Sequence, residues 1–312
     1  MRWKHIRRAI VAYAVLGVSY CFAAIPLRFM YVLGGALGYL AYGVARRERL
    51  RTICHLNEFY KGSRSPREIR RLARGVFRHF GYAAMEFLAL RAPKKFFERL
   101  SISVEGIEYA RKALEKGSGL VWVSGHFGNW ELIGSYLAHH GFPINVVARK
   151  IRQPILQEFV DKHRRGANLR VHYTKEDGVL DMMRTLKRGE VLAMLIDIRT
   201  EGDGRWVEFL GRPAYTLVGP AALAARTGAG LAFAYGVRLR PWEYRFVIHP
   251  PVEIDPPAAR SGPEWEAYVM TLLQSLNNRL SAVIEQFPEQ WMWMHRRHDP
   301  VRSIRRDYQE NE

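Results

Sequence analysis

Gly119-Leu120-Val121-Trp122-Val123-Ser124-Gly125-His126-Phe127-Gly128-Asn129-Trp130-Glu131-Leu132 is the stretch whose reading decides the fold. Its apolar run from Leu120 to Val123 is short and bounded by Gly119 and Gly125, which predicts a buried strand. Asn129 stands where an N-cap belongs, and the apolar spacing from Trp130 to His139 predicts a helix. Strand, tight turn and helix in that order form a unit of an α/β sheet. Such sheets place their ligand crevice at the C-terminal ends of the strands, where His126 falls. Glu131 lies in the first turn of the expected helix, where the macrodipole favours an ionised carboxylate.

A neutral imidazole accepts a hydroxyl proton only when the correct ring nitrogen is free. A carboxylate on the other nitrogen fixes the tautomer and stabilises the imidazolium that forms. His126 and Glu131 therefore read as a general base and its orienting acid, an arrangement that typically contributes ~100- to 10,000-fold in rate. The spacing alone has modest specificity in a chain with 11 histidines. A second match, His172 with Asp177, lacks the flanking glycines, and Lys175 and Glu176 make its loop look solvated. The structural alternative for His126 is a hydrogen-bonded histidine at a core edge. Ser124 is not set in a Gly-x-Ser-x-Gly elbow, so the base has no paired nucleophile and a direct reaction without a covalent intermediate on the chain is expected.

The block Ser124-Gly-His-Phe-Gly-Asn-Trp-Glu131 closely resembles the His-x4-Asp/Glu motif of the lysophospholipid acyltransferase superfamily. It is most similar to the bacterial lipid A biosynthesis acyltransferases, the lauroyl and myristoyl transferases. Pro288-Glu-Gln-Trp-Met-Trp-Met-His-Arg-Arg297 and Phe209-Leu-Gly-Arg-Pro-Ala214 resemble two further blocks of that family, in family order. The resemblance implies a fatty acyl donor, acyl carrier protein or acyl-CoA, and a lipid A precursor as the acceptor. It also implies a site on the cytoplasmic face of the inner membrane. The same superfamily includes phosphatidylinositol mannoside acyltransferases, so acylation of another glycolipid is the alternative. A basic membrane-binding protein without chemistry is the alternative from another class.

Asn129, Arg149, Arg164 and Asp197 are the expected substrate-binding residues, and neither a metal nor a cofactor is expected. Arg149 ends the strand after the His126 helix and suits a phosphate or a sugar carboxylate. Arg164, with Arg165 as its near-equivalent, resembles the family's arginine that supports acceptor binding or the oxyanion. Asp197 ends the apolar strand Leu192 to Ile196 and resembles the acidic residue the family keeps beside its active site, although Ile198 stands where the family often has Gln. The alternative for each of these three is a surface ion pair. Trp291, Met292 and Trp293 read either as an acyl-chain lining or as core.

Composition bounds the partners. With 48 Lys plus Arg against 30 Asp plus Glu, the formal charge of +18 attracts anionic membranes, acidic proteins or nucleic acid alike. The basic residues fall in scattered clusters, among them Arg46-Arg47 and Arg296-Arg297, without a nucleic-acid-reading motif. Cys21 and Cys54 are too few and too isolated for a disulfide framework or a metal site. The run from Ala9 to Leu27, preceded by Arg2, Lys4, Arg7 and Arg8, is long enough to span a hydrocarbon core of ~30 Å. It lacks an obvious cleavage site, so it reads as a retained anchor rather than a signal peptide. A second run, Phe29 to Ala45, is shorter and glycine-rich, which predicts a packed or interfacial helix.

Residues 1–45 thus read as a membrane-anchoring unit and residues 46–312 as a catalytic domain. Arg67 to Leu90 predicts an amphipathic helix lying on the domain or the bilayer. Beyond it, strands are expected near 101–104, 120–123, 144–148, 191–196, 231–238 and 244–248. Helices are expected near 107–115, 129–139, 153–165, 178–187, 217–227 and 264–286. The alternation predicts an α/β fold with a mixed central sheet covered by helices, acyltransferase-like in the terms of the resemblance.

Overall fold

A computed structural model describes residues 25–174, 176–198 and 202–298. The expected first span, Ala9 to Leu27, lies almost wholly outside the described residues. The described chain opens with α1 (Leu27–Val44), α2 (Arg46–Tyr60), α3 (Pro66–Ala89) and the short α4 (Pro93–Phe97). Alternation then begins: β1 (Ser101–Glu105), α5 (Ile107–Glu115), β2 (Leu120–Ser124), α6 (Trp130–His139), β3 (Ile144–Ala148), α7 (Pro154–Gly166), β4 (Arg170–Tyr173), α8 (Val179–Lys187) and β5 (Val191–Leu195). The hairpin of β6 (Gly204–Phe209) and β7 (Arg212–Leu217) follows, then α9 (Gly219–Thr227), β8 (Gly230–Arg240), β9 (Glu243–Ile248) and α10 (Pro263–Gln286). A single 3-10 turn at Pro288–Gln290 leads into the C-terminal segment.

Seven strands form one sheet in the order β1-β9-β8-β2-β5-β3-β4. All neighbours are parallel except β8 and β9, so the sheet is mixed, as the sequence predicts. β2 has a parallel partner on each side and all five of its residues are buried, which explains why it reads as a continuous apolar run. Its side chains divide by parity. Val121 and Val123 join the core on the face of α9 and α10, while Leu120 and Trp122 join the core on the face of α6, with Leu132, Ile133 and Leu137. β2 is therefore fixed from both faces and both edges, and the loop that follows it leaves from a rigid point.

The capping box of Ser65 and Glu68, with Pro66 at the first helical position, starts α3. This helix buries Ile69, Ala73 and Val76 in one core and Met85 and Leu88 in the other. α1 crosses α3 on a glycine face. A Cβ added to Gly81 would stand 2.0 Å from the Gly34 carbonyl oxygen, and one added to Gly38 would stand 2.5 Å from that of Phe77. Only hydrogen-sized side chains permit that backbone approach. The opposite face of α1 exposes Phe29, Val32, Leu33, Leu37, Leu40 and Val44. The expectation of a packed helix over the second run is met in its glycine face, although α1 is also long and apolar enough to cross a membrane.

Candidate active site

β2 pairs with β5 in a register that sets Ser124 beside Leu195, so the two chains leave the sheet side by side. His126 emerges from one and Asp197 from the other. The Asp197 carboxylate accepts the backbone N–H of His126 at 2.7 Å, the His126 Nδ1 at 2.8 Å and the Trp291 Nε1–H at 2.8 Å. It is 1% exposed. Burial pushes its carboxyl up, but the charge His126 carries when protonated and the hydrogen bonds from His126 and Trp291 outweigh this and hold it at about 2. An ionised carboxylate at Nδ1 demands the Nδ1–H tautomer, which leaves Nε2 as the proton acceptor. The His126 side chain is 18% exposed and lies at 4.8 Å, ring to ring, from Trp130 and at 5.7 Å from His295.

This geometry corrects the expectation that Glu131 orients His126. Glu131 instead pairs with Arg164, which donates from Nε at 3.2 Å and from Nη2 at 2.5 Å across the gap between α6 and α7. Both side chains are mostly buried, at 16% and 15% exposed. Helical periodicity explains the correction, since Glu131 is carried around the first turn of α6 while Asp197 reaches the ring from the neighbouring strand. Asn129, expected at the substrate, is buried and serves the scaffold. Its Oδ1 caps α6 by accepting the Leu132 N–H at 3.0 Å, and its Nδ2 donates to Glu86 at 2.6 Å. Arg149 is exposed at the C-terminal end of β3, one strand beyond β5. His172 sits in β4 with Nε2 at 3.0 Å from the Thr185 hydroxyl.

The loop carrying His126 is braced from two directions. Gly128 has φ +58°, and a Cβ there would stand 1.6 Å from the Gly236 carbonyl oxygen, so the tight turn requires glycine. The Pro288–Arg297 block lies along the loop: Gly128 N–H donates to the Gln290 carbonyl at 2.8 Å, and Met292 N–H to that of His126 at 3.2 Å. Trp291 and Trp293 are each 1% exposed, which makes them core here rather than a chain-lining surface. From behind, His79 Nε2 donates to the Gly128 carbonyl at 2.9 Å while its Nδ1 accepts from Arg238 at 2.6 Å. Burial, then the Arg238 charge, holds His79 neutral by lowering it well below the ordinary histidine value.

Glu86 anchors that rear layer. Its carboxylate accepts from Arg238 Nη2 at 2.6 Å, Tyr31 at 2.7 Å, Asn129 at 2.6 Å, and Tyr244. None of Glu86, His79, Arg238 and Tyr244 stands out in the sequence, because they come from α3, β8 and β9. The one available signal was polar side chains inside apolar stretches, such as Glu86 in Ala-Ala-Met-Glu-Phe-Leu. Among the described residues no His, Cys, Asp and Glu grouping has the arrangement to hold a metal ion.

Beside this buried carboxylate and the histidine it holds stands a match over the sequence: residues 1–299 fit the family described as bacterial lipid A biosynthesis acyltransferase. The chain belongs to that family. Relatives of this lipid A acyltransferase family member include a phosphatidylinositol mannoside acyltransferase of Mycobacterium tuberculosis, 27% identical over 141 residues. That match covers 44% of this chain and 45% of the relative, less than half of the relative's length. A protein of the same description from Mycolicibacterium smegmatis is 26% identical over 211 residues, 65% of each chain. The three stretches that carry the resemblance fall on the site or its braces: Ser124 to Glu131 on the β2 loop, Pro288 to Arg297 along it, and Phe209 to Ala214 at the hairpin turn, where Phe209 meets Trp291 edge-on at 5.3 Å.

Proposed function

We propose that this chain moves a fatty acyl group from a thioester to a hydroxyl of a glycolipid at the surface of the inner membrane. His126 Nε2 takes the hydroxyl proton as the oxygen attacks the thioester carbonyl. The imidazolium, held at Nδ1 by Asp197, returns the proton to the departing thiolate. One C–O bond forms, one C–S bond breaks, and no acyl-enzyme intervenes. The observation that carries this reading is the hydrogen-bonded His126–Asp197 pair, because it selects the tautomer that general-base catalysis needs.

Acyl carrier protein is the proposed donor, with acyl-CoA as its substitute, and a lipid A precursor the proposed acceptor. An acidic carrier complements the formal charge of +18. Residues 1–45 act as the membrane anchor. The exposed stripe Phe29, Val32, Leu33, Leu37, Leu40 and Val44, with Arg46 and Arg47 following it, supports apposition to an anionic bilayer. Each basic residue near such a surface contributes ~1 kcal/mol. A mannosylated inositol phospholipid is the second acceptor reading, favoured by the names of the mycobacterial relatives.

Purified full-length protein supplied with radiolabelled acyl carrier protein and a panel of acceptors tests the reading. Label should move to the lipid A precursor in preference to the mannosylated lipid, and His126→Ala should retain under a tenth of the activity. Transfer to neither acceptor, from either donor, would leave only a binding protein that keeps the fold.

A further inference from the structure

Beside His126 lies a basic cleft to which the proton transfer assigns no role. Its volume is about 320 Å³, and it is lined by Arg47, Glu48 and Arg51 of α2, by Ile198, and by His295 and Arg296 of the C-terminal segment. Ile198 directly follows Asp197, and the His295 ring stands 5.7 Å from the His126 ring, so the cleft adjoins the reacting centre. Three guanidiniums meet one carboxylate there. Arg51 is partly buried and fixed in direction, since its Nη1 donates to the Met294 carbonyl at 2.8 Å. Arg47 and Arg296 are exposed at the rim. Burial, then the charge of His126, lowers the basicity of His295, which makes it a neutral hydrogen-bonding floor rather than a fourth cation.

We propose that this cleft binds the phosphate ester of a substrate and thereby sets the distance between that substrate's reacting group and His126. The inference rests on the acyl-transfer reading for its choice of ligand. Forked guanidiniums match the oxygens of a phosphate, and several converging on one site give more than isolated surface pairs do. Both reactants carry the group: an acyl carrier protein or CoA thioester hangs from a phosphopantetheine arm, and the proposed glycolipid acceptors are phosphorylated. The shared chemistry is the phosphate ester, and experiment separates the two sources.

Full-length protein in detergent is titrated with two ligand pairs, 4′-phosphopantetheine against pantetheine and a glycolipid acceptor against its dephosphorylated form. Binding is read calorimetrically, without turnover. In one pair the phosphorylated member should bind roughly tenfold tighter or more, as expected for charge-assisted hydrogen bonds. The doubly substituted Arg47→Ala/Arg296→Ala protein should lose that preference, and Arg47→Lys/Arg296→Lys should keep part of it. Arg111→Ala/Lys112→Ala removes the same charge from exposed positions on α5 and should leave the preference intact. Loss confined to the pantetheine pair assigns the cleft to the donor, and loss confined to the glycolipid pair assigns it to the acceptor. A preference unchanged in the Arg47/Arg296 variant, or equally lost in the Arg111/Lys112 control, overturns the proposal. A cleft-dependent preference in a protein that transfers no acyl group would instead keep the phosphate site and refute the acyl-transfer reading.

Discussion

At His126 the identity of the proton-accepting nitrogen depends on Asp197, so replacing that carboxylate changes the tautomer without emptying the site. Asp197→Asn should lower kcat ~100-fold or more. Combining it with His126→Ala should cost little beyond His126→Ala alone, because in the proposed transfer the two residues serve one proton. Single-turnover thioester consumption measures both, and an Asp197→Asn protein within tenfold of wild type would refute the orienting role. The Glu131–Arg164 pair has a different signature. Each single Ala variant strands a mostly buried charge, so the double variant should be no worse than the poorer single one, with a coupling of ~0.5–3 kcal/mol in stability. Additive losses would mean that the two act separately. The sequence pointed to His126 through a strand end and a glycine turn, but it offered Glu131 as partner because spacing along a chain cannot display neighbours across a parallel sheet. Asp197 was legible as a charge closing an apolar run and, through the resemblance, as an acidic residue of the site, but not as the partner of His126 Nδ1. The Glu86 layer showed only as polar side chains inside apolar stretches, because its members meet only once the strands are ordered.

Among the elements, the crossing of α1 and α3 makes a claim that single substitutions can check. Gly81→Ala places a methyl group against the Gly34 backbone, and overpacking of this kind costs ~1–3 kcal/mol. Gly43 has nothing within 4 Å of an added Cβ, so Gly43→Ala should be neutral or stabilising by ~0.4–1 kcal/mol. Thermal unfolding in detergent should therefore separate two chemically identical changes, and equal shifts would contradict the close approach. Most elements were readable from period and punctuation, from β2 to the long α10. The β6–β7 hairpin was not. Its two-residue turn uses Leu210 at φ +51° and Gly211 at φ +73°, and a leucine carries none of the turn signal that Asn or Asp would supply there. α2 escaped notice because its Arg-Arg-Glu-Arg start reads as a solvated cluster, while its buried side includes Thr52, Cys54, His55 and Leu56.

For the molecule as a whole, acid sensitivity follows from its neutral interior histidines. Burial lowers His55 to about 4 and His298 to about 4, against an ordinary value of 6.5. His163 and His249 are lowered by the same cause. The unfolded chain binds protons first, so stability is complete above about 6.5 and is lost as pH falls toward about 4. Asp197 adds a second loss only lower, between 3.8 and about 2. The melting temperature should thus drop between pH 7 and pH 5, and a flat profile would show that these imidazoles remain accessible to water. Glu86 gives the molecule one further property, of practical weight to anyone wishing to shorten it. Trimming the chain back to Arg46 would remove Tyr31 from a carboxylate that also secures the α6 cap, and would bare the glycine-matched side of α3. A chain shortened in that way would loosen the support behind the His126 loop, whereas polar replacements at the exposed Val32 or Leu40 would leave the contact between α1 and α3 in place.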